Sequence, residues 1–281
     1  MMTGLTASPR LTGMPPATLP APIDTHAHCF LASLPMAPQR RYTPGYDASV
    51  EQFLAVLDHH GVAAGVLVQP SFLGTDNSYL VRCLAAHPRR LRGIAVVDPG
   101  ITDTALSDLA AVGVVGVRFN LIDQDAAILD RPDLRDLVRR VAALGWQIEV
   151  QADGPQWSTV LRALDRIPTT IVADHFGRPT LGLGRACPGF QLLLREGPSG
   201  RLYVKLSAPY RVLGSVDGCL EDLFAQLGPD RLLWGSDWPW TQHEANRRYQ
   251  DWLALTDRAG SVLAHRLAAT AGRLFGFVTE R

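Results

Sequence analysis

Short runs rich in Val, Ile, Leu and Ala recur along the chain, each bounded by Gly, Pro or Asp and followed by a longer stretch whose apolar residues return every three or four positions. The runs are Ile23 to His26, Val62 to Gln69, Leu91 to Val97, Val114 to Asn120, Gln147 to Ala152, Thr170 to His175, Leu202 to Ser207 and Leu232 to Ser236. Most are apolar nearly throughout, as parallel strands covered on both faces must be. The stretches between predict helices near Ala48 to His60, Asn77 to His87, Thr102 to Val112, Pro132 to Leu144, Gln156 to Ile167, Gly189 to Glu196, Val216 to Leu227 and His243 to Ala259, with a last one over Ser261 to Leu274. Pro132 suits a first helical turn, and Gly61, Gly113 and Gly145 stand where left-handed C-terminal caps belong.

Eight such units without a break in composition predict one (β/α)8 TIM barrel of the α/β class over residues 22–281, because strict alternation forces parallel strands and a closed sheet leaves no edge. An open doubly wound sheet would be expected to place a Gly-rich phosphate turn after the first strand. Thr25-His26-Ala27-His28 stands there instead. Residues 1–21 are proline-rich and lack the continuous apolar stretch of a signal peptide, which predicts a flexible tail.

Composition removes several classes of function. With 281 residues, 47% of them apolar and 19% charged, the chain is neither a disordered tail nor a fibre. Lys and Arg number 27, as do Asp and Glu, so no basic field draws nucleic acid or anionic lipid. No apolar run approaches the about 18 residues that a membrane span needs. The four cysteines, at 29, 83, 187 and 219, contain no CxxC pair, which suits neither a disulfide framework nor a cysteine zinc knot. A reducing cytoplasm is the expected compartment and a small molecule the expected partner, while oligomeric state leaves no signal. Lys205 is the only lysine in an arginine-rich chain.

Barrel chemistry takes place at the C-terminal ends of the strands, so the polar residues there carry the functional reading. The first strand runs out through His26 and His28, two apart and therefore on one face. The sixth runs into Asp174-His175-Phe176-Gly177-Arg178-Pro179 and the eighth into Trp234-Gly235-Ser236-Asp237-Trp238-Pro239. Singly, His175 reads as a core histidine and Asp237 as a helix cap. Jointly, three imidazoles and a carboxylate at one end of a barrel suit either holding a divalent ion or activating a water.

At these residues the chain resembles the amidohydrolase superfamily, and within it the subgroup of 2-pyrone-4,6-dicarboxylate lactonase and the sugar-acid lactonases. The resemblance spans about residues 22–277 and also rests on Val68-Gln69-Pro70-Ser71, Gly74-Thr75-Asp76-Asn77, Gly116-Val117-Arg118-Phe119-Asn120 and Arg273-Leu274-Phe275-Gly276-Phe277. It implies a lactonase in which Asp237 takes a proton from the attacking water while His26, His28 and His175 surround the scissile carbonyl or an ion. Binuclear members add a lysine or glutamate on strand four and a histidine on strand five. Here strand four offers Arg118 and Asn120, strand five Gln147, Glu149 and Gln151, so a binuclear centre is not expected. What remains is no essential cofactor, or one divalent ion on His26, His28, His175 and Asp237, with zinc suiting three nitrogens and an oxygen. The lactonase resemblance favours a metal that is absent or dispensable. The same superfamily holds metal-dependent decarboxylases and lactone isomerases, and a ligand-binding barrel without catalysis is the non-enzyme alternative.

Arg118, Arg178 and Arg211, at or just after strands four, six and seven, predict a cationic cup for an anionic lactone or carboxylic acid, with Ser71 and Asn120 as neutral donors. Arg178 is the best placed, three residues past His175. The loop Leu121-Ile122-Asp123-Gln124 lacks the basic residues, and strand five the tyrosine, of the pyrone-dicarboxylate pattern. Cys29 beside the histidines lacks an orienting third group for a nucleophile. His59, His60 and His87 read as helix ends and His265 as a solvated helix residue. His243 is a candidate for the pocket wall, and Tyr42 and Tyr46 for part of a lid.

Overall fold

Strands β1 (Ile23–Ala27), β2 (Ala64–Val68), β3 (Leu91–Ala95), β4 (Val114–Asn120), β5 (Gln147–Gln151), β6 (Ile171–Ala173), β7 (Leu202–Leu206) and β8 (Leu232–Trp234) pair parallel in chain order. The structure, a computed structural model, describes residues 21–211, 217–258 and 260–277. The tail expected over residues 1–21 thus lies, apart from residue 21, outside the described residues. Between β8 and β1 the ring is closed by a parallel bridge from Ala27 to Trp238, by Asp237 N–H to His26 O and His28 N–H to Trp238 O at 2.8 Å each, and by Thr25 Oγ1 to Trp234 O at 2.7 Å. These eight strands and the helices between them form the predicted (β/α)8 barrel. No described helix is long and apolar enough to cross a membrane.

The helices are α1 (Val50–His59), α2 (Ser78–Ala86), α3 (Asp103–Ala111), α4 (Pro132–Ala143), α5 (Trp157–Leu164), α6 (Pro188–Glu196), α7 (Asp217–Gln226), α8 (Tyr249–Arg258) and α9 (Ser261–Phe275). Local chemistry sets their ends. Ser49 opens α1 with a capping box, its Oγ accepting from Gln52 N–H while Gln52 Oε1 accepts from Ser49 N–H. Gly113 and Gly145 turn the chain after α3 and α4 at φ +103° and +73°, a region that costs a glycine nothing. The helix expected from His243 begins only at Tyr249. Asp237, Trp240, Gln242 and Asn246 all stand at positive φ (60°, 63°, 70° and 60°), so this stretch winds as a loop over the barrel mouth.

Which side of each strand faces inward is fixed by packing. A Cβ on Gly65 would lie 2.6 Å from the Phe53 ring of α1, and one on Gly93 2.6 Å from Leu84 of α2, so these glycines face the helices. Val66 and Ile94 therefore face the barrel axis, where they join Ile23, Val68, Val172, Leu233, Ala271 and Phe275 in an apolar cluster. Above this floor the inner positions turn charged: His26, Arg118, Glu149, Asp174 and Lys205 are all buried. Arg118 and Lys205 lie against the carboxyl groups of Glu149 and Asp174, and this pairing is what allows such a layer inside a fold.

β1 carries an irregularity that aims the site. Its pairing with β2 runs Asp24 to Gly65 and then Ala27 to Leu67, three steps against two, so one extra residue is accommodated between. Asp24 consequently faces away from the axis, accepting hydrogen bonds from Ser236 N–H (2.9 Å), Ser236 Oγ (2.6 Å), Tyr249 Oη (2.8 Å) and His26 N–H (3.1 Å). His26 and His28, after the bulge, point inward.

Candidate active site

His26 lies at the centre of the inner charged layer. Lys205 Nζ approaches its Nδ1 at 3.1 Å, with Asp174 Oδ1 at 3.3 Å and Glu149 Oε1 at 3.5 Å. Its Nε2 has no hydrogen-bond partner and faces Asp237 Oδ1 at 3.6 Å. Burial, and next the Lys205 ammonium, lower its pKa to about 3, so the ring is neutral at pH 7. His28 donates from Nδ1 to Val68 O at 2.7 Å, which in the neutral ring leaves Nε2 a bare lone pair, 3.7 Å from the same Asp237 oxygen. His175 stands at φ +53° with Nδ1 2.8 Å from Ser207 Oγ, its ring centroid 4.7 Å from that of His26. Burial holds it too well below the usual histidine range.

Asp237, also left-handed at φ +60°, is fully buried and divided in function between its two oxygens. Oδ2 accepts from Tyr210 Oη and from Arg211 Nε at 2.8 Å, whereas Oδ1 has no partner and faces the histidines. Burial would push this carboxyl up. The Arg211 guanidinium, foremost, outweighs it and holds the group well below the usual carboxylate range.

The neighbouring layer obeys the same competition. Burial raises Asp174, but His26, Arg118 and Lys205 together keep it ionised. Glu149 is pushed up to about 8 by burial and by the charge of Asp174, against the pull of Lys205 and Arg118. Arg118 braces the layer, giving Nε to Asp174 Oδ2 at 3.0 Å and Nη2 to Gln151 Oε1 at 2.7 Å.

Above these groups opens a polar cleft of about 500 Å³, solvent included, lined by His28, His175, Asp237, Arg118, Arg211, Ser71 and Asn120. Of the residues expected at the site, these seven line the cleft and His26 sits beneath them. Arg178 is not brought there. A left-handed backbone (φ +46°) turns it away, and its Nε donates to Asp153 Oδ1 at 2.9 Å. Arg41, Tyr42, Gln151, Thr241 and Gln242 line it too, with Pro70 and Phe72, and of these Arg41, Phe72, Thr241 and Gln242 carried no sequence signal. Tyr210 was missed as well, although it directly precedes Arg211. His243 packs on the Tyr210 ring at 5.0 Å and does not line the cleft, while Tyr46 lines a separate groove with Trp238 and Glu244. Cys29 is buried, and burial pushes its thiol well above the ordinary value, which removes it as a nucleophile.

Whether an ion fits is a question about donors. His26 Nε2, His28 Nε2 and Asp237 Oδ1 converge within 4.8 Å of one another, and two of the three are buried without a partner, so the set fits one divalent ion. For His26 to ligate, its proton must stand on Nδ1, where Asp174 Oδ1 can accept it. The other set of donors close enough to hold an ion, His26, Asp174 and His175, shares His26 with the first and has the Lys205 ammonium 3.8 Å from Asp174 Oδ1. The donors therefore suit a single divalent ion.

Comparison with known proteins places this geometry. Over 242 residues the chain is 34% identical to a 2-pyrone-4,6-dicarboxylate hydrolase of Comamonas testosteroni, covering 80% of this chain and 79% of that one. It is 32% identical over 271 residues to a 4-sulfomuconolactone hydrolase of Rhizobium radiobacter, covering 91% and 90%. A crystal structure of a probable 2-pyrone-4,6-dicarboxylic acid hydrolase from Acinetobacter baumannii, with citric acid bound, matches at TM-score 0.85 and 35% identity over 91% of this chain and 99% of that one. With residues 23–277 matching the amidohydrolase family model as well, the chain belongs to the amidohydrolase family.

Proposed function

We propose that this amidohydrolase opens the ester ring of a carboxylated lactone by direct attack of water. The observation that carries the reading is Asp237 Oδ1: a buried, ionised carboxylate oxygen without a partner, facing histidine rings at the floor of a cleft walled by arginines. Relatives sharing about a third of their residues are hydrolases of carboxylated or sulfonated lactones, and one holds citric acid, a polycarboxylate.

In this reading the substrate carboxylate pairs with Arg118 and Arg211, whose planar forks suit a carboxylate, and the lactone carbonyl lies over His175 and His26. Asp237 Oδ1 takes a proton from water as its oxygen bonds to the carbonyl carbon. Lys205 donating to His26 Nδ1 places that ring's proton on Nε2, where it meets the oxyanion as charge develops. The intermediate collapses with cleavage of the ring C–O bond, and the proton held by Asp237 passes to the departing oxygen. The product is the ring-opened acid. A bound ion at His26, His28 and Asp237 would supply Lewis-acid polarisation and a water of pKa near 7. A lactone carbonyl, more electrophilic than an amide, needs less of that help, so the ion is dispensable to this step.

The test is acid release from a panel of carboxylated pyrone, muconate-derived and sugar lactones, with and without exhaustive chelation. Hydrolysis that survives chelation is expected. Silence across the panel, carbon dioxide release, or a changed proton spectrum without acid release overturns the reading, the last two in favour of decarboxylation or isomerisation.

A further inference from the structure

Arg118, buried, and Arg211, 12% exposed, reach the cleft braced by Asp174 and Asp237. Arg41 arrives differently. It lies on the loop between β1 and α1, its side chain is 46% exposed, and its Nη1 is 3.3 Å from Oδ2 of Asp123, a 75% exposed residue on the loop after β4. The backbone on both sides is held. Tyr42 Oη and Tyr46 Oη both donate to Glu244 Oε1, at 2.7 and 2.8 Å, tying the first loop to the stretch after β8. Across the mouth, Asn120 anchors the second loop, accepting from Ile122 N–H at 3.2 Å and Gln124 Nε2 at 3.1 Å, with Asp123 itself left-handed at φ +62°. The pair is thus fixed at its roots and free at its tips, and it sits on the rim opposite the catalytic floor.

We propose that Arg41 anchors a second carboxylate of the substrate, remote from the scissile ester, and that Asp123 is the placeholder which that carboxylate displaces. This rests on the lactonase reading and narrows it to dianionic substrates. An exposed ion pair is worth only about 0–1 kcal/mol, so exchanging Asp123 for an incoming carboxylate costs little. A guanidinium gripping one end of an anion whose other end is already held by Arg118 and Arg211 is a stronger contact, since the second contact is then made within one bound molecule. Asp123 further works against occupancy, because its charge opposes a second anion at the rim until it is displaced. The discrimination in favour of a second anion therefore comes from Arg41, and Asp123 tempers it.

The measurement is calorimetric titration of the full chain with isophthalate, which has two carboxylates, and with benzoate, which has one. Wild-type protein is expected to bind isophthalate more tightly by about tenfold, the contribution of one charge-assisted contact. Arg41→Met should erase that preference and leave benzoate affinity unchanged, and Asp123→Asn should tighten isophthalate about threefold by removing an exposed competitor. Both side chains are solvent-exposed, and a melting curve of each variant checks that the fold is kept. No preference for isophthalate in the wild type, or equal weakening of both ligands by Arg41→Met, overturns the proposal. Ring opening is scored separately: isophthalate preference without any lactone turnover rejects the lactonase reading and keeps the anchor, whereas turnover without the preference does the reverse.

Discussion

Replacing Asp237 by Asn removes one charge and changes almost nothing else. Asn accepts the left-handed backbone that Asp237 adopts at φ +60°, so the turn after β8 is retained. The amide oxygen can still accept from Tyr210 Oη and Arg211 Nε, leaving the NH2 group where Oδ1 faces His26 and His28. That position then carries hydrogens and no basic lone pair, so the attacking water loses its proton acceptor. General-base contributions run to about 10²–10⁴ in rate, hence a fall in kcat worth about 3–5 kcal/mol. Stability should fall by less, about 1–3 kcal/mol, because the Arg211 contact survives as a hydrogen bond to a neutral acceptor. The assay is steady-state ring opening followed by absorbance, beside circular dichroism and a thermal melt. KM should change little, since Arg118 and Arg211 remain. A folded variant with kcat within about tenfold of the wild type would refute the role of Asp237, since so small a loss lies below the range of a general base.

Arg211→Met should move the acid limb of kcat/KM to higher pH, because Arg211 is foremost in holding the Asp237 carboxyl below its ordinary range against burial; an unmoved limb would show that another group titrates. Lys205→Met leaves Glu149 and Asp174 in the interior with Arg118 alone. A cost of about 3–5 kcal/mol in urea denaturation is expected, and a cost under about 1 kcal/mol would show that the ammonium is not paired as described. Stability should also fall on acidification, since His26 is kept neutral with a pKa lowered to about 3 while the unfolded ring titrates near 6.5. The contribution is complete above pH about 6.5 and is lost towards pH 3 at up to about 1.4 kcal/mol per unit, so a urea midpoint no lower at pH 5 than at pH 7 counts against a buried neutral His26. All four cysteines are buried, so a thiol reagent should label none in the native protein and all on unfolding; rapid native labelling would refute that burial.

Strands and helices were legible because their signals are local. A run such as Val114 to Asn120 excludes water on both faces whatever surrounds it, and β4 has those bounds. The placement of His26, His28, His175 and Asp237 was legible for a related reason: a residue at the end of a barrel strand has only one end of the barrel to occupy. Long side chains and loops were not. From sequence, Arg178 and Arg41 are both arginines after a strand; a left-handed turn sends the first to Asp153, and the Tyr42 and Tyr46 tether to Glu244 brings the second to the mouth. Strict alternation would have put Asp24 on the same face as His26, but the extra residue in β1 reverses it, and only pairing with β2 reveals the bulge. Lys205, one inner position on β7, became informative once Glu149 and Asp174 closed round it. Periodicity is decided by neighbours along the chain, so the sequence by itself determined the barrel and its mouth. Partners far apart in sequence meet only when the barrel closes, and so the tertiary structure alone decided which charges share the interior and which arginines face the cleft.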